Sequence, residues 1–145
     1  MKVYIAGPLF NEMERSRNEE IARLIESCGL TTYLPQRDGG VFSEMISSGK
    51  DVEDIRKDIF GDDITALKDS DIIVCLLDGR ALDEGMCIEL GMAYALGKIC
   101  IGYCTDSRSL SPKEMNIILE GTLRTVFATK KELQEYFESI VFSKN

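Results

Sequence analysis

The 145-residue chain contains no histidine. That absence removes Ser-His-Asp and Cys-His catalysis and every His-ligated metal site. Proton transfer must then fall to Asp, Glu, Tyr, Lys or Cys. There is no CxxC pair either. The five cysteines stand at 28, 75, 87, 100 and 104, four of them inside apolar stretches, and read as small buried hydrophobes in a reducing compartment. No apolar run reaches the roughly 20 residues that a membrane span needs. The opening "MKVYIAGPLF" carries one Lys and an apolar run of strand length, too short for a secretory leader. Together these features predict a cytoplasmic protein. Positive charge is scarce: 17 Lys and Arg stand against 25 Asp and Glu, a net charge of −8. A nucleic acid polymer needs clustered bases and is not expected as a partner, whereas a small ligand is not excluded. No P-loop or GxGxxG occurs, and "AGPLF" resembles a phosphate cradle only weakly, because its Pro has no N–H to donate. Neither a cofactor nor a metal is expected.

What is present is alternation of strand-like and helix-like segments. "KVYIAG" reads as a strand ending in a Gly-Pro turn, and residues 11–28 as a helix stopped by Gly29. "TTYLP" is a short strand, 36–50 a Gly/Ser-rich loop, and 51–69 a second helix. "DIIVCLL" is continuously apolar, the mark of a strand covered on both faces. A helix over 84–97, a strand over 98–103, a loop near 104–112, a short helix near 113–120 and a strand at "RTVF" follow. Thr129 and Glu132 form a capping box for a last helix over 130–141. With no internal repeat or linker, the chain reads as one domain over 1–145. Five strands alternating with helices predict an α/β fold, a parallel sheet with helices on both faces. Ligands of such sheets sit beyond the carboxyl ends of the strands, here 7–11, 36–44, 78–85 and 104–112.

Three carboxylates stand where carboxylates are expensive. At about 100° per residue, Val52, Ile55, Ile59, Phe60, Ala66 and Leu67 fall on one stripe of the second helix, and Asp63 falls within it. Asp63 is therefore paired, with Arg56 as the obvious partner, or it lines a cavity. Glu89 is the only charged residue between Met86 and Gly97. Its i−4 and i+4 neighbours, Gly85 and Ala93, leave room for a backbone or a ligand to approach. Asp83 precedes that helix, as an N-cap and at the expected ligand edge. Carboxylates converging on a pocket without histidine point to glycosyl chemistry, in which one attacks or stabilises an anomeric carbon and another handles the leaving group's proton.

"VYIAGPLF", "DDITALKDSDIIV", "LDEGMCIELGMAYALGK" and "MNIILEG", in that order over residues 2 to about 122, resemble nucleoside 2-deoxyribosyltransferases. The resemblance implies a flavodoxin-like, doubly wound, five-stranded parallel sheet and a retaining transfer of 2-deoxyribose between nucleobases through a covalent deoxyribosyl-glutamate, with slow hydrolysis as a side reaction. It implies Glu89 as nucleophile, Asp63 as acid–base for the base, Tyr4 as the hydroxyl orienting Glu89, and Asp83 as holder of a sugar hydroxyl. Gly7 and Phe10 would line the base pocket and Gly85 would contact substrate. Asn116 would reach the sugar 5′-hydroxyl from a neighbouring subunit, so a homo-oligomer is implied, acting on deoxynucleosides and free bases.

Two other readings compete. A sister branch on the same scaffold hydrolyses 2′-deoxynucleoside 5′-monophosphates; it has "GSIRGG" after the first strand and a Ser near the place of Asn116, where this chain has "AGPLF" and Asn. The second is a non-catalytic nucleotide-binding module, which needs a pocket but not three carboxylates in it. Gln36 and Asp38 are candidates to read a base edge.

Overall fold

A computed structural model of the chain describes residues 1–40, 42–47, 49–79, 81–106 and 115–143. Five strands form one sheet: β1 (Lys2–Ala6), β2 (Thr31–Tyr33), β3 (Ile72–Leu76), β4 (Ile99–Tyr103) and β5 (Thr125–Phe127). They lie in the order β2-β1-β3-β4-β5, every pair parallel. Among the described residues, six α-helices connect or flank them: α1 (Glu12–Ser27), α2 (Phe42–Ile46), α3 (Val52–Asp69), α4 (Glu84–Ala95), α5 (Ile117–Thr122) and α6 (Lys130–Phe142). This is the parallel sheet covered on both faces that the alternating pattern predicts, in the doubly wound arrangement that the resemblance implies. Strand order reverses at β1, whose neighbours are β2 on one side and β3 on the other, so the crevice for a ligand opens between the carboxyl ends of β1 and β3.

The period of two in the strands decides which helix goes where. Val3, Ile5, Ile72, Val74, Ile101 and Tyr103 point to one face, where α1 (Ile21, Ala22, Ile25) and α6 (Leu133, Phe137) cover them. Tyr4, Ala6, Ile73, Cys75 and Cys100 point to the other, under Ala66 and Leu67 of α3 and Met86, Leu90 and Ala93 of α4. Because both faces are covered, both sets of alternate residues are apolar and the strands read as unbroken runs. Each fully buried Ile or Leu contributes on the order of 1.5–3 kcal/mol.

Caps place the helix starts. Asn11 accepts from Glu14 N and Asp51 from Glu53 N, and the Thr129–Glu132 box closes in both directions, as expected. The stretch 36–50 departs from the expected loop: Pro35–Gly39 winds into a π-helical turn and α2 follows. The turn is held from its sides. Asp38 accepts from Leu34 N at 2.8 Å, while Arg37 pairs with Glu26 and Asp38 and donates to Thr32 Oγ1. On α3, Phe60 and Val52 are exposed although they belong to the predicted apolar stripe; Phe60 stands at its margin and Val52 in the first turn. The expected helix near 113–120 starts in α5 at Ile117; its first two residues, Arg80 and most of the 104–112 loop lie outside the described residues. Among the described residues, no helix is long and apolar enough to cross a membrane. Of the five cysteines, all free, Cys75, Cys100 and Cys104 are buried and Cys28 and Cys87 half-buried.

Candidate active site

The segments after β1 and β3 meet α3 and α4 around a cavity of about 320 Å³, the lower end of the range for small-molecule sites. Four carboxylates line it: Asp63, Asp83, Glu84 and Glu89. Gly7 and Gly85 bring backbone close to the space, and Leu9, Phe10, Pro35 and Met86 supply apolar walls. Phe10 is 78% exposed and stands at the rim.

Asp83 begins α4. Its Oδ1 accepts from Met86 N at 2.7 Å, which satisfies one of the donors left over at a helix start. A cap at that position fixes the phase of α4 and turns Glu89 inward, toward β1. There the Tyr4 hydroxyl donates to Glu89 Oε1 at 2.6 Å. Burial pushes the Glu89 carboxyl up to about 7; the Tyr4 hydrogen bond acts against this, and the charges of Asp63 and Asp83 add to it. The Tyr4 hydroxyl is itself raised, first by burial and then by the Glu89 charge, so it remains a donor.

Asp63 comes from α3. It does not pair with Arg56, which bonds Glu53 and lies over the Phe42 ring. Its partner is the Tyr33 hydroxyl, which donates to Asp63 Oδ1 at 3.0 Å. Burial raises the Asp63 carboxyl above the ordinary range, and the Tyr33 hydrogen bond pulls it back in part. The alternative of a cavity-lining aspartate is therefore the one realised.

Six of the eight site residues expected from the sequence line this one cavity: Asp63, Asp83, Glu89, Gly7, Phe10 and Gly85. Tyr4 lies behind Glu89, bonded to it. Asn116 is elsewhere in the chain: it is exposed and caps α5 by accepting from Ile118 N and Leu119 N. Gln36 and Asp38, the candidates to read a base edge, are not among the residues lining this cavity. Gln36 donates to Arg15 O and accepts from Asn18, and Asp38 is bound to Leu34 N and Arg37. Sequence reasoning missed Tyr33, Glu84, Leu9 and Pro35. Only strand register reveals Tyr33, since it is the β2 residue paired with Tyr4.

The nucleoside 2-deoxyribosyltransferase family model matches residues 3–136. The chain belongs to that family. It is an enzyme of the nucleoside 2-deoxyribosyltransferase type, a family that acts on nucleosides and nucleobases. The chain is similar to a nucleoside deoxyribosyltransferase of Limosilactobacillus fermentum, 28% identical over 130 residues that span 86% of this chain and 77% of that one. Among solved structures, the 2-deoxyribosyltransferase of Bacillus psychrosaccharolyticus shares its fold at a TM-score of 0.74 and 22% identity, covering 92% of this chain and 90% of that one. The CMP N-glycosidase BcmB of Clostridium botulinum shares it at a TM-score of 0.59 and 19% identity, covering 97% and 99%. One scaffold thus carries deoxyribosyltransferases and an N-glycosidase, and the chemistry of a given member is set by its site.

Proposed function

We propose that the protein moves 2-deoxyribose from one nucleobase to another through a covalent ester on Glu89. The observation that carries this reading is the half-buried Glu89 carboxylate, bonded by Tyr4 through Oε1 alone and lining the same cavity as Asp63. Oε2 is then the oxygen that attacks C1′ as the C1′–N bond breaks. Asp63 delivers its proton to the departing base nitrogen, so the base leaves neutral. A second base then attacks C1′, the ester bond breaks, and Asp63 takes back a proton. In the productive state the two carboxyls hold one proton between them, on Asp63, and Glu89 is bare. The apolar walls limit water, which leaves hydrolysis as a slow side reaction.

Asp83 has one oxygen in the cap and the other for a sugar hydroxyl, with Gly7, Phe10 and Gly85 against the substrate. Four carboxylates and, among the described lining residues, no Lys or Arg make a poor seat for a 5′-phosphate. That favours a nucleoside over a nucleoside 5′-monophosphate, the substrate of the competing hydrolase reading.

A second copy of the chain completes the site in this reading. Along α4 and its C-cap, Ile88, Met92 and Leu96 recur at a spacing of four and all are exposed, as are Gly91 and Ala95 between them. Ile117 and Ile118, directly after Asn116, are 83% and 77% exposed. A helix apolar on both sides and covered on one asks for a partner. A copy docked there brings Asn116 toward the α4 of its neighbour, for contact with the sugar 5′-hydroxyl.

Incubation with thymidine plus adenine, and separately with dAMP alone, followed by liquid chromatography, tests the reading. Deoxyadenosine from the first mixture is the expected result. Adenine from dAMP with nothing from the first mixture would establish the hydrolase instead, and no product from either would leave a binding module.

A further inference from the structure

Tyr4 and Tyr33 are opposite one another in the β1–β2 register, so both point to the face covered by α3 and α4. Their rings stack, with centroids 5.5 Å apart and planes 22° from parallel. Each hydroxyl donates to a different carboxylate on a different helix: Tyr4 to Glu89 of α4, Tyr33 to Asp63 of α3. From the far side the π-helical turn closes on the second of these bonds. A Cβ on Gly39 would lie 2.7 Å from the Tyr33 hydroxyl and 2.9 Å from Asp63 Oδ1. The bond is thus seated between a stacked ring and a glycine backbone with no room for a methyl group.

We propose that Tyr33 is a positioning residue for Asp63, and that the stacked Tyr4–Tyr33 pair fixes the two reacting carboxyls relative to one another. This rests on the roles given above to Asp63 and Glu89. The chemical content lies in which oxygen is left. Tyr33 occupies Oδ1 of Asp63, and Oδ2 makes no hydrogen bond among the described residues, so Oδ2 carries the proton that goes to the leaving base. In the same way Tyr4 occupies Oε1 of Glu89 and leaves Oε2 to form the bond to C1′. When base nitrogen and Oδ2 exchange a proton, Tyr33 keeps its own and its bond to Oδ1 is retained throughout. A ring pair built into adjacent strands moves as one piece, so the acid and the nucleophile keep their spacing even though they come from separate helices.

Asp63 is faced by Asp62 on its own helix, by Tyr33 from β2, by Tyr4 from β1 and by Glu89 from α4. Of these, Tyr33 is the group that stabilises its ionised form by a hydrogen bond.

The test compares Tyr33→Phe, Gly39→Ala, Asp63→Asn and Tyr33→Phe/Asp63→Asn. Two readouts are used: thymidine-to-adenine transfer as a function of pH, and the titration of the Asp63 carboxyl followed by carbon NMR. Tyr33→Phe should lower kcat by about 10- to 100-fold. It should also move the Asp63 titration upward, and it should add no further loss on top of Asp63→Asn. Gly39→Ala, which keeps the tyrosine but displaces the bond, should give the same two signatures and stands in if Tyr33→Phe folds poorly. An unmoved Asp63 titration in both variants, or losses from Tyr33→Phe and Asp63→Asn that multiply independently, overturns the proposal. Transfer at the full rate by Asp63→Asn overturns it differently: the titration can then still move with Tyr33, and the error lies in the role given to Asp63.

Discussion

Tyr4 and Glu89 are 85 residues apart in the chain, and their side-chain oxygens are 2.6 Å apart in the fold. The hydroxyl favours the charged form of a carboxyl that burial otherwise keeps protonated near neutral pH. Tyr4→Phe removes that help. The Glu89 carboxyl should rise above about 7, and the acidic limb of the pH–rate profile should move to higher pH with it. Transfer at pH 7 should fall by about 10- to 100-fold, the range for a hydrogen bond to a charged group. A profile of kcat/KM between pH 5 and 9 checks both.

Glu89→Gln should abolish turnover and stabilise the fold at alkaline pH. In the folded protein the carboxyl titrates near 7 against 4.5 when exposed, so between these values the folded chain holds a proton that the unfolded chain has released. Stability therefore declines as pH rises through this window, and the ionised Glu89 costs about 3 kcal/mol above it. Gln carries no such penalty and still accepts from Tyr4. Urea unfolding should show little difference between the two proteins at pH 4.5 and a gain of roughly 2–3 kcal/mol for Glu89→Gln at pH 8.

Ile88→Lys/Met92→Lys should give a monomer by light scattering and lose transfer, while retaining the circular dichroism of the folded chain. Asn116→Ser keeps the α5 cap, because Ser caps as well as Asn, and should lose transfer through the missing amide. Mixing inactive Asn116→Ser with inactive Glu89→Ala should restore measurable transfer if each subunit lends Asn116 to the other. A mixture that stays inactive after subunit exchange would remove the shared site.

Asp78 braces the chain just past β3. Its carboxylate is 8% exposed; it pairs with Arg17 and accepts from Thr105 N at 2.6 Å, Thr105 Oγ1 at 2.7 Å and Asp106 N at 2.8 Å. Asp78→Ala leaves a half-buried guanidinium and two backbone donors without it. The expected loss is about 3 kcal/mol in urea unfolding.

The sequence made the layered architecture readable because its signals are local. The Thr129–Glu132 box and the period-two strands each act within a few residues, and Glu89 and Asp63 stand out from their neighbours by helical geometry alone. Tyr33 was hidden, since its importance comes from standing opposite Tyr4, and register between strands separated by a whole helix leaves no local trace. The π-helical turn was hidden for the same reason: Glu26 and Thr32, which hold Arg37, precede it in the chain and carry no turn signal. Between Met86 and Gly97 the sequence is apolar but for Glu89, and apolarity does not say what provides the cover; within one chain Met86, Leu90 and Ala93 are covered and Ile88, Met92 and Leu96 are not.

The pairing of Tyr4 with Tyr33 makes the chemistry a property of how two strands are threaded. Side chains of a strand alternate between faces, so a shift of β2 by one residue against β1 would carry Tyr33 to the side of α1 and α6 and leave Asp63 without its donor. The links leading into β2 can therefore change length freely only if the strand re-enters in phase. An insertion of one residue between Thr31 and Tyr33 should therefore disable the candidate active site, although none of these three residues belongs to the cavity wall.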